Sequence, residues 1–235
     1  MCGRYTHLYT WRQLHRLMGL TASAEPEGEA LRPSYNLAPT QNAPVVRQDD
    51  AGVRYVSSLR WGLIPPWAND PSIGSRMINA RSEEVTTKPA YRSAVKKRRC
   101  LVPASGFYEW QLIPGSKTKQ PWYFTVTGEP VLAFAGIWER WDKGGEPLET
   151  FCILTGAPNP LVNPVHDRMP CIVDPNKYAR WLDSEVEDFA PLATILSPFP
   201  PERMTAWPVS TRVGSPRNND PLLIERIEGI GTLPA

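Results

Sequence analysis

Six runs dense in Val, Ile, Leu, Tyr, Phe and Trp, at residues 44–48, 53–60, 101–110, 121–127, 131–138 and 150–156, follow one another between Gly, Pro and Asp turns. β-Branched and aromatic side chains suit a pleated, half-buried surface, so each run is predicted as a strand. The short connections TGEP (127–130) and DKGGE (142–146) predict hairpins. No β-α-β rhythm runs through the chain, which argues against a doubly wound parallel sheet. The fold class that remains is α+β: a single domain, mainly antiparallel β-sheet forming a barrel-like core, with a few flanking helices. Three helices are expected. One covers Trp11 to Met18, capped by Thr10 and ended by Gly19, with Trp11, Leu14, Leu17 and Met18 on one face. A second follows Pro89 through Lys97. A third opens at Asp174 and Pro175, with Tyr178, Trp181 and Leu182 on its buried side. The Glu/Ala/Pro-rich stretch from Thr21 to Arg32 reads as a mobile surface loop, and the part of the 1–235 domain from Gly214 as an irregular tail.

With 235 residues, 41% of them hydrophobic, the chain suits one large core. A net charge of +2 is too small for binding nucleic acid through a diffuse excess of charge, so any such contact has to come from local patches. No run approaches the roughly 18 to 20 apolar residues that cross a bilayer, and the N-terminus lacks a signal-peptide core. These features predict a soluble, monomeric protein, cytoplasmic and nucleoid-associated if bacterial, with no membrane partner. The four cysteines, Cys2, Cys100, Cys152 and Cys171, lie far apart without a C-x-x-C pair. They are expected to be free thiols, with no metal site and no cofactor.

Cys2 carries the most chemical information. Removal of Met1 before this small residue gives one residue with a free α-amine and a thiol on adjacent carbons. An α-amine has a pKa of about 7.7 to 8.0, so a useful fraction is neutral near neutral pH. It can condense with an aldehyde to a Schiff base, and the thiol can close a five-membered thiazolidine on the same carbon. Taken alone, a cysteine beside the start codon is more simply read as an accident, which only other residues can overturn. Glu109 sits in SGFYEW, where an apolar setting raises a carboxyl pKa and suits proton transfer, although strand alternation taken locally favours its facing outward. His166, in PVHDRMP, can titrate near neutral pH or simply hydrogen-bond its own loop.

Asn79 and Arg81 lie in MINARSE, where an amide can meet a sugar and a guanidinium can fork onto phosphate; a solvated turn is the plainer reading. Arg4, Arg76, Arg81 and Arg168 each flank one of these motifs and can converge on one phosphate track. The run Lys96-Lys97-Arg98-Arg99 is expected to solvate a helix end, and alternatively to widen a DNA-facing patch. Trp67, beside the polar NDPS segment, is the candidate for stacking on unpaired bases, while Trp61 is assigned to the core.

Taken in order, MCGRY, YNLAPT, RWGLIPPW, INARSE, CLVPASGFYEW and VHDRMP resemble the SOS-response-associated peptidase family, from Cys2 to about Pro208. The resemblance implies a barrel-like domain that recognises abasic sites in single-stranded DNA and crosslinks to them through the N-terminal cysteine, shielding them from strand cleavage. It implies Cys2 as nucleophile, Glu109 as proton shuttle, and His166 and Asn79 as active-site partners. Arg4, Arg81 and Arg168, with Trp67, would contact DNA. Two other classes stay open. An N-terminal-nucleophile hydrolase or autoprocessing peptidase would use the Cys2 thiol on an amide, with removal of Met1 as one such reaction. A DNA-binding module without chemistry would not need Cys2 at all.

Overall fold

The computed structural model describes residues 2–21, 32–113, 115, 118–231 and 233. Near the N-terminus lie β1 (Tyr5–His7), α1 (Trp11–Met18), β2 (Ser34–Leu37), β3 (Asn42–Gln48) and β4 (Arg54–Trp61). The middle of the chain forms β5 (Asn79–Arg81), α2 (Ala94–Lys97), β6 (Arg99–Ala104), β7 (Gly106–Leu112), β8 (Lys119–Val126), β9 (Leu132–Trp141) and β10 (Leu148–Gly156). It ends with β11 (Met169–Pro170), α3 (Tyr178–Leu182), α4 (Ala190–Ala193) and β12 (Met204–Pro208). None of the described helices is long and apolar enough to cross a membrane.

Five strands close on themselves in the order β10-β4-β3-β6-β9, with β9 pairing back to β10. The pairing of β10 with β4 is parallel and the other four are antiparallel, so the barrel is mixed. Where β4 leaves β10, β5 takes its place in parallel register, Ile153 opposite Asn79. The second sheet, β12-β8-β7-β1-β2, is antiparallel throughout. Period-two alternation divides the side chains between two cores. On β9, Leu132 and Phe134 join Tyr5, Trp61, Phe107 and Phe124 between the barrel and the second sheet. Ala133, Ala135 and Ile137 instead pack with Leu14, Met18 and Trp181 from the helices. Each buried Phe or Trp at this junction contributes about 2–3 kcal/mol, which fixes the second sheet against the barrel.

The α+β class and the barrel-like core agree with the sequence reading, and so does α1. Thr10 and Gln13 form a capping box and Gly19 ends the helix in the left-handed region at φ 61°. Asp174 caps a 3₁₀ turn that leads into α3, whose Tyr178, Trp181 and Leu182 are buried as expected. The run 101–110 is not one strand. The chain breaks at Ser105, so β6 stays in the barrel while β7 crosses to the second sheet. Gly106 allows that crossing, because a Cβ there would lie 2.4 Å from the Tyr123 ring. For the same reason TGEP joins two sheets and is not a ladder hairpin, whereas DKGGE does join paired strands. The helix expected after Pro89 shrinks to α2, preceded by turns. Arg99 does not solvate a helix end. It is 4% exposed, and its guanidinium donates to the carbonyls of Val95, Lys96, Trp181 and Asp183, satisfying the open ends of α2 and α3. Residues 22–31 of the expected mobile loop lie outside the described residues. The stretch after Gly214 is largely turns, yet Leu223 within it is fully buried against Tyr108 and Val213.

Candidate active site

Cys2 precedes β1, and β1 lies between β2 and β7. Tyr5 is opposite Phe107, and the Tyr108 amide donates to Arg4 O at 3.1 Å. Residues 107 and 109 of β7 share one face by alternation. Phe107 on that face packs against the barrel, so Glu109 also turns inward and is 1% exposed. The outward orientation that local alternation favours is thereby overturned. Cys2 is fully buried in the same apolar cluster as Phe107. Burial pushes the Glu109 carboxyl up to about 7 against the opposing pull of the N-terminal amine, with Asp167 adding to the rise and Lys119 opposing it. Burial first, and the nearby Glu109 second, hold the Cys2 thiol well above its ordinary range. The thiol therefore stays protonated, and donates weakly to Arg4 O at 3.7 Å. A carboxyl that titrates near neutrality beside it can both give and take a proton.

Asn79 approaches from the opposite wall. Its register on β10 directs the amide to Cys2, where Nδ2 donates to the Cys2 carbonyl at 2.8 Å. Its Oδ1 is buried and accepts no hydrogen bond from the described residues. That leaves an acceptor ready for a hydroxyl or an amine. Two glycines set the path into β5. A Cβ on Gly62, at φ 123°, would meet the Gly74 carbonyl at 2.5 Å, so the 71–76 turn rests backbone to backbone on the end of β4. Trp61 then donates its indole N–H to Ile78 O at 2.9 Å, immediately before Asn79.

His166 ends a short turn held by Asn159, whose Oδ1 accepts from the Val162 amide at 3.0 Å, and the His166 amide donates to Val162 O at 3.0 Å. Gln111, two residues along β7 from Glu109, donates to Pro164 O at 3.2 Å and accepts from the Trp122 indole at 2.9 Å, tying this turn to β7. Asp167 and Lys119 act on both His166 and Glu109, which places the two in one electrostatic neighbourhood. Burial lowers the His166 pKa and Asp167 partly offsets that. The imidazole is consequently biased to its neutral form.

The candidate DNA-contacting residues differ in availability. Arg81 is exposed, with only a 3.7 Å contact to Glu84, and Trp67 is 56% exposed. Arg76 is exposed on the same connection between β4 and β5. Arg4, by contrast, is half-buried and engages its guanidinium with the chain itself, donating to Asn36 Oδ1, Val213 O and Gly214 O at 2.7–3.0 Å. Arg168 makes a two-pronged pair with Glu83 at 2.6 and 2.8 Å. All four cysteines are buried thiols, and among the described residues no group of three or more His, Cys, Asp or Glu is placed to hold a metal.

The family model for SOS response associated peptidase (SRAP) matches residues 1–216. The chain belongs to the SRAP family. Abasic site processing protein YoqW of Bacillus subtilis (strain 168) is 41% identical over 226 residues, covering 96% of this chain and 99% of the relative. Abasic site processing protein HMCES of Xenopus tropicalis is 34% identical over 227 residues, with 83% of this chain matched to 66% of its length. Among solved structures, a protein from Bacteroides thetaiotaomicron aligns at a TM-score of 0.82 and 28% identity over 96% of this chain and all of that one. One from Bordetella bronchiseptica aligns at 0.75 and 26%, over 89% and all of it. The structure also brings into this SRAP site residues that sequence reading passed over. Gln111 and Asn159 hold the His166 turn, and Asn36 Nδ2 donates to Val213, Ser215 and Asn218 carbonyls beneath Arg4. The one sequence signal for Asn36 is its place in YNLAPT; Gln111 and Asn159 carry none.

Proposed function

We propose that this SRAP chain processes abasic sites in single-stranded DNA by capturing them covalently on Cys2 once Met1 is removed. The single observation that carries this reading is the meeting of Cys2, Asn79 and a Glu109 raised to about 7 in one buried site. The names of the relatives YoqW and HMCES support the substrate. In the 235-residue chain the Cys2 nitrogen is part of a peptide bond, and loss of Met1 converts it to an α-amine.

An abasic deoxyribose exchanges between a closed ring and an open aldehyde. The neutral Cys2 amine adds to C1′ of the aldehyde and gives a carbinolamine. Protonated Glu109 donates to the carbinolamine oxygen, which leaves as water, and an iminium forms. The thiol then adds to the iminium carbon, and its proton passes to the carboxylate of Glu109. One water is released overall, and a C–N and a C–S bond are formed. A thiol held protonated by burial reacts slowly with the aldehyde itself and well with the iminium, which sets the order of steps. Asn79 and His166 hold the sugar hydroxyls. Closure to the thiazolidine withdraws the Schiff base from β-elimination, so the strand stays intact. Arg81 and Trp67 receive the flanking phosphate and base on the exposed rim.

The test combines intact mass with a denaturing gel. Protein lacking Met1 should form a heat-stable band with an oligonucleotide bearing one abasic site, whose mass equals the two components minus one water. Cys2→Ser should give a band only after borohydride reduction, since its oxygen closes the ring poorly. An adduct of unchanged stability in Cys2→Ser, or one formed with Met1 retained, would sink the reading. An acyl-enzyme in place of an aldehyde adduct would favour the hydrolase alternative.

A further inference from the structure

Glu83 lies two residues beyond β5, at the end of the INARSE motif, where its sequence context suggests no more than a surface carboxylate. Its position is less ordinary. Both carboxylate oxygens accept from Arg168, Oε1 from Nη1 at 2.6 Å and Oε2 from Nη2 at 2.8 Å. The Arg168 side chain is only 15% exposed, and Nη2 also donates to Thr155 O at 2.5 Å. That carbonyl accepts the Ser82 amide at 2.9 Å as well, so the guanidinium is seated where β5 and β10 part. The backbone amide of the same Arg168 donates to His166 Nδ1 at 3.0 Å. The Asp167 carboxylate lies 3.0 Å from that nitrogen, a contact that is an ion pair only when the ring is protonated. One residue thus carries the Glu83 clamp on its side chain and the histidine's partner on its main chain.

We propose that Glu83 is a positioning residue that acts through Arg168 to fix His166 against the Cys2 site. The inference rests on the abasic-capture reading for its kinetic consequence, and on geometry alone for its effect on the ring. A guanidinium this buried is held by its paired carboxylate. With the carboxylate neutralised it turns out toward solvent or toward a DNA phosphate. The backbone at Arg168 then relaxes, and Nδ1 loses its donor. Glu83 therefore governs rate more than affinity, since the released Arg168 is better able to meet phosphate.

The experiment compares the full chain, with Met1 removed, as wild type, Glu83→Gln and Glu83→Asp, after checking that the thermal midpoints show all three folded. In Glu83→Gln the ¹⁵N shifts of the His166 ring should move away from those of a neutral ring with a hydrogen-bonded Nδ1. Adduct formation should slow by roughly ten- to a hundredfold, with affinity for the abasic oligonucleotide kept or raised. Glu83→Asp, which keeps the charge one methylene shorter, should restore part of the ring signature. In an Arg168→Ala background the Gln substitution should change nothing further. An unmoved ring signature in Glu83→Gln overturns the proposal, as does parallel loss of rate and affinity with the ring unchanged. If wild type forms no adduct, abasic capture fails, and the ring signature alone still decides the role of Glu83.

Discussion

The wall of the site built by β1 and β7 is apolar, and the wall built by β5 and the 157–168 turn is held by hydrogen bonds. On the first, Cys2 lies among Tyr5, Phe107 and Phe124, Glu109 is buried on the face of β7 that carries Phe107, and burial is the main cause of both raised pKa values. On the second, Asn79, His166 and Arg168 are located by carbonyls, an aspartate and a glutamate. The first wall supplies proton affinity and the second supplies position. A catalytic site needs both, because a group with the right pKa in the wrong place transfers no proton.

Cys2→Ala should cost the most. It removes the thiol from the apolar wall and touches none of the Asn79 or His166 positioning contacts, apart from the Cys2 carbonyl, which alanine keeps. The heat-stable adduct should vanish on a denaturing gel, while binding of abasic oligonucleotide survives within a few-fold.

Glu109→Gln tests the apolar wall more finely, because it takes away titration with almost no change of shape. Adduct formation should slow by about a hundredfold. Stability should move the other way. The folded state keeps a proton on Glu109 up to about pH 7, whereas the unfolded chain releases it near 4.5. Wild-type stability therefore falls as pH rises between those values, and the cost is fully present above 7. Denaturant unfolding should show the Gln variant more stable by up to about 3 kcal/mol at pH 8, with no difference at pH 4. A stabilisation independent of pH would mean that Glu109 is not the titrating group.

Smaller effects belong to the rim. Trp67→Ala should weaken single-stranded DNA binding by about 1–3 kcal/mol, measured by fluorescence anisotropy, if a base stacks there. Arg81→Gln should weaken it less and lower the slope of log affinity against log salt by about 1. Either variant leaving binding untouched while slowing adduct formation would move that residue from the rim into the hydrogen-bonded wall.

How far the sequence reaches follows the same division. Hydrophobic period, the Thr10 cap with Gly19, and the Asp174-Pro175 opening are local features, so the α+β class, α1 and α3 could be read from it. The proposal of Cys2, Asn79, Glu109 and His166 as site residues rests on six motifs that occur in one order; individually each had an ordinary reading. Local pattern failed where neighbours in sequence separate in space. Residues 101–110 look like one strand, yet Ser105 divides two sheets, because the register between β1 and Gly106 is a long-range pairing. The inward turn of Glu109 depends on that register, and its raised pKa depends on the barrel behind it. The partners that the structure gives the Arg4 guanidinium, Asn36, Val213 and Gly214, are up to 210 residues away, beyond the reach of local pattern.

The amino-acid order alone carries the candidate reactive atoms, a thiol on the second residue and a carboxyl in an aromatic run, together with the strand-forming composition that makes a barrel. Tertiary structure decided which of those atoms meet, which arginines stay available, and at what pH Glu109 gives up its proton. Chemical identity is carried residue by residue, whereas desolvation and hydrogen-bond geometry arise only when strands far apart in the chain are brought into register.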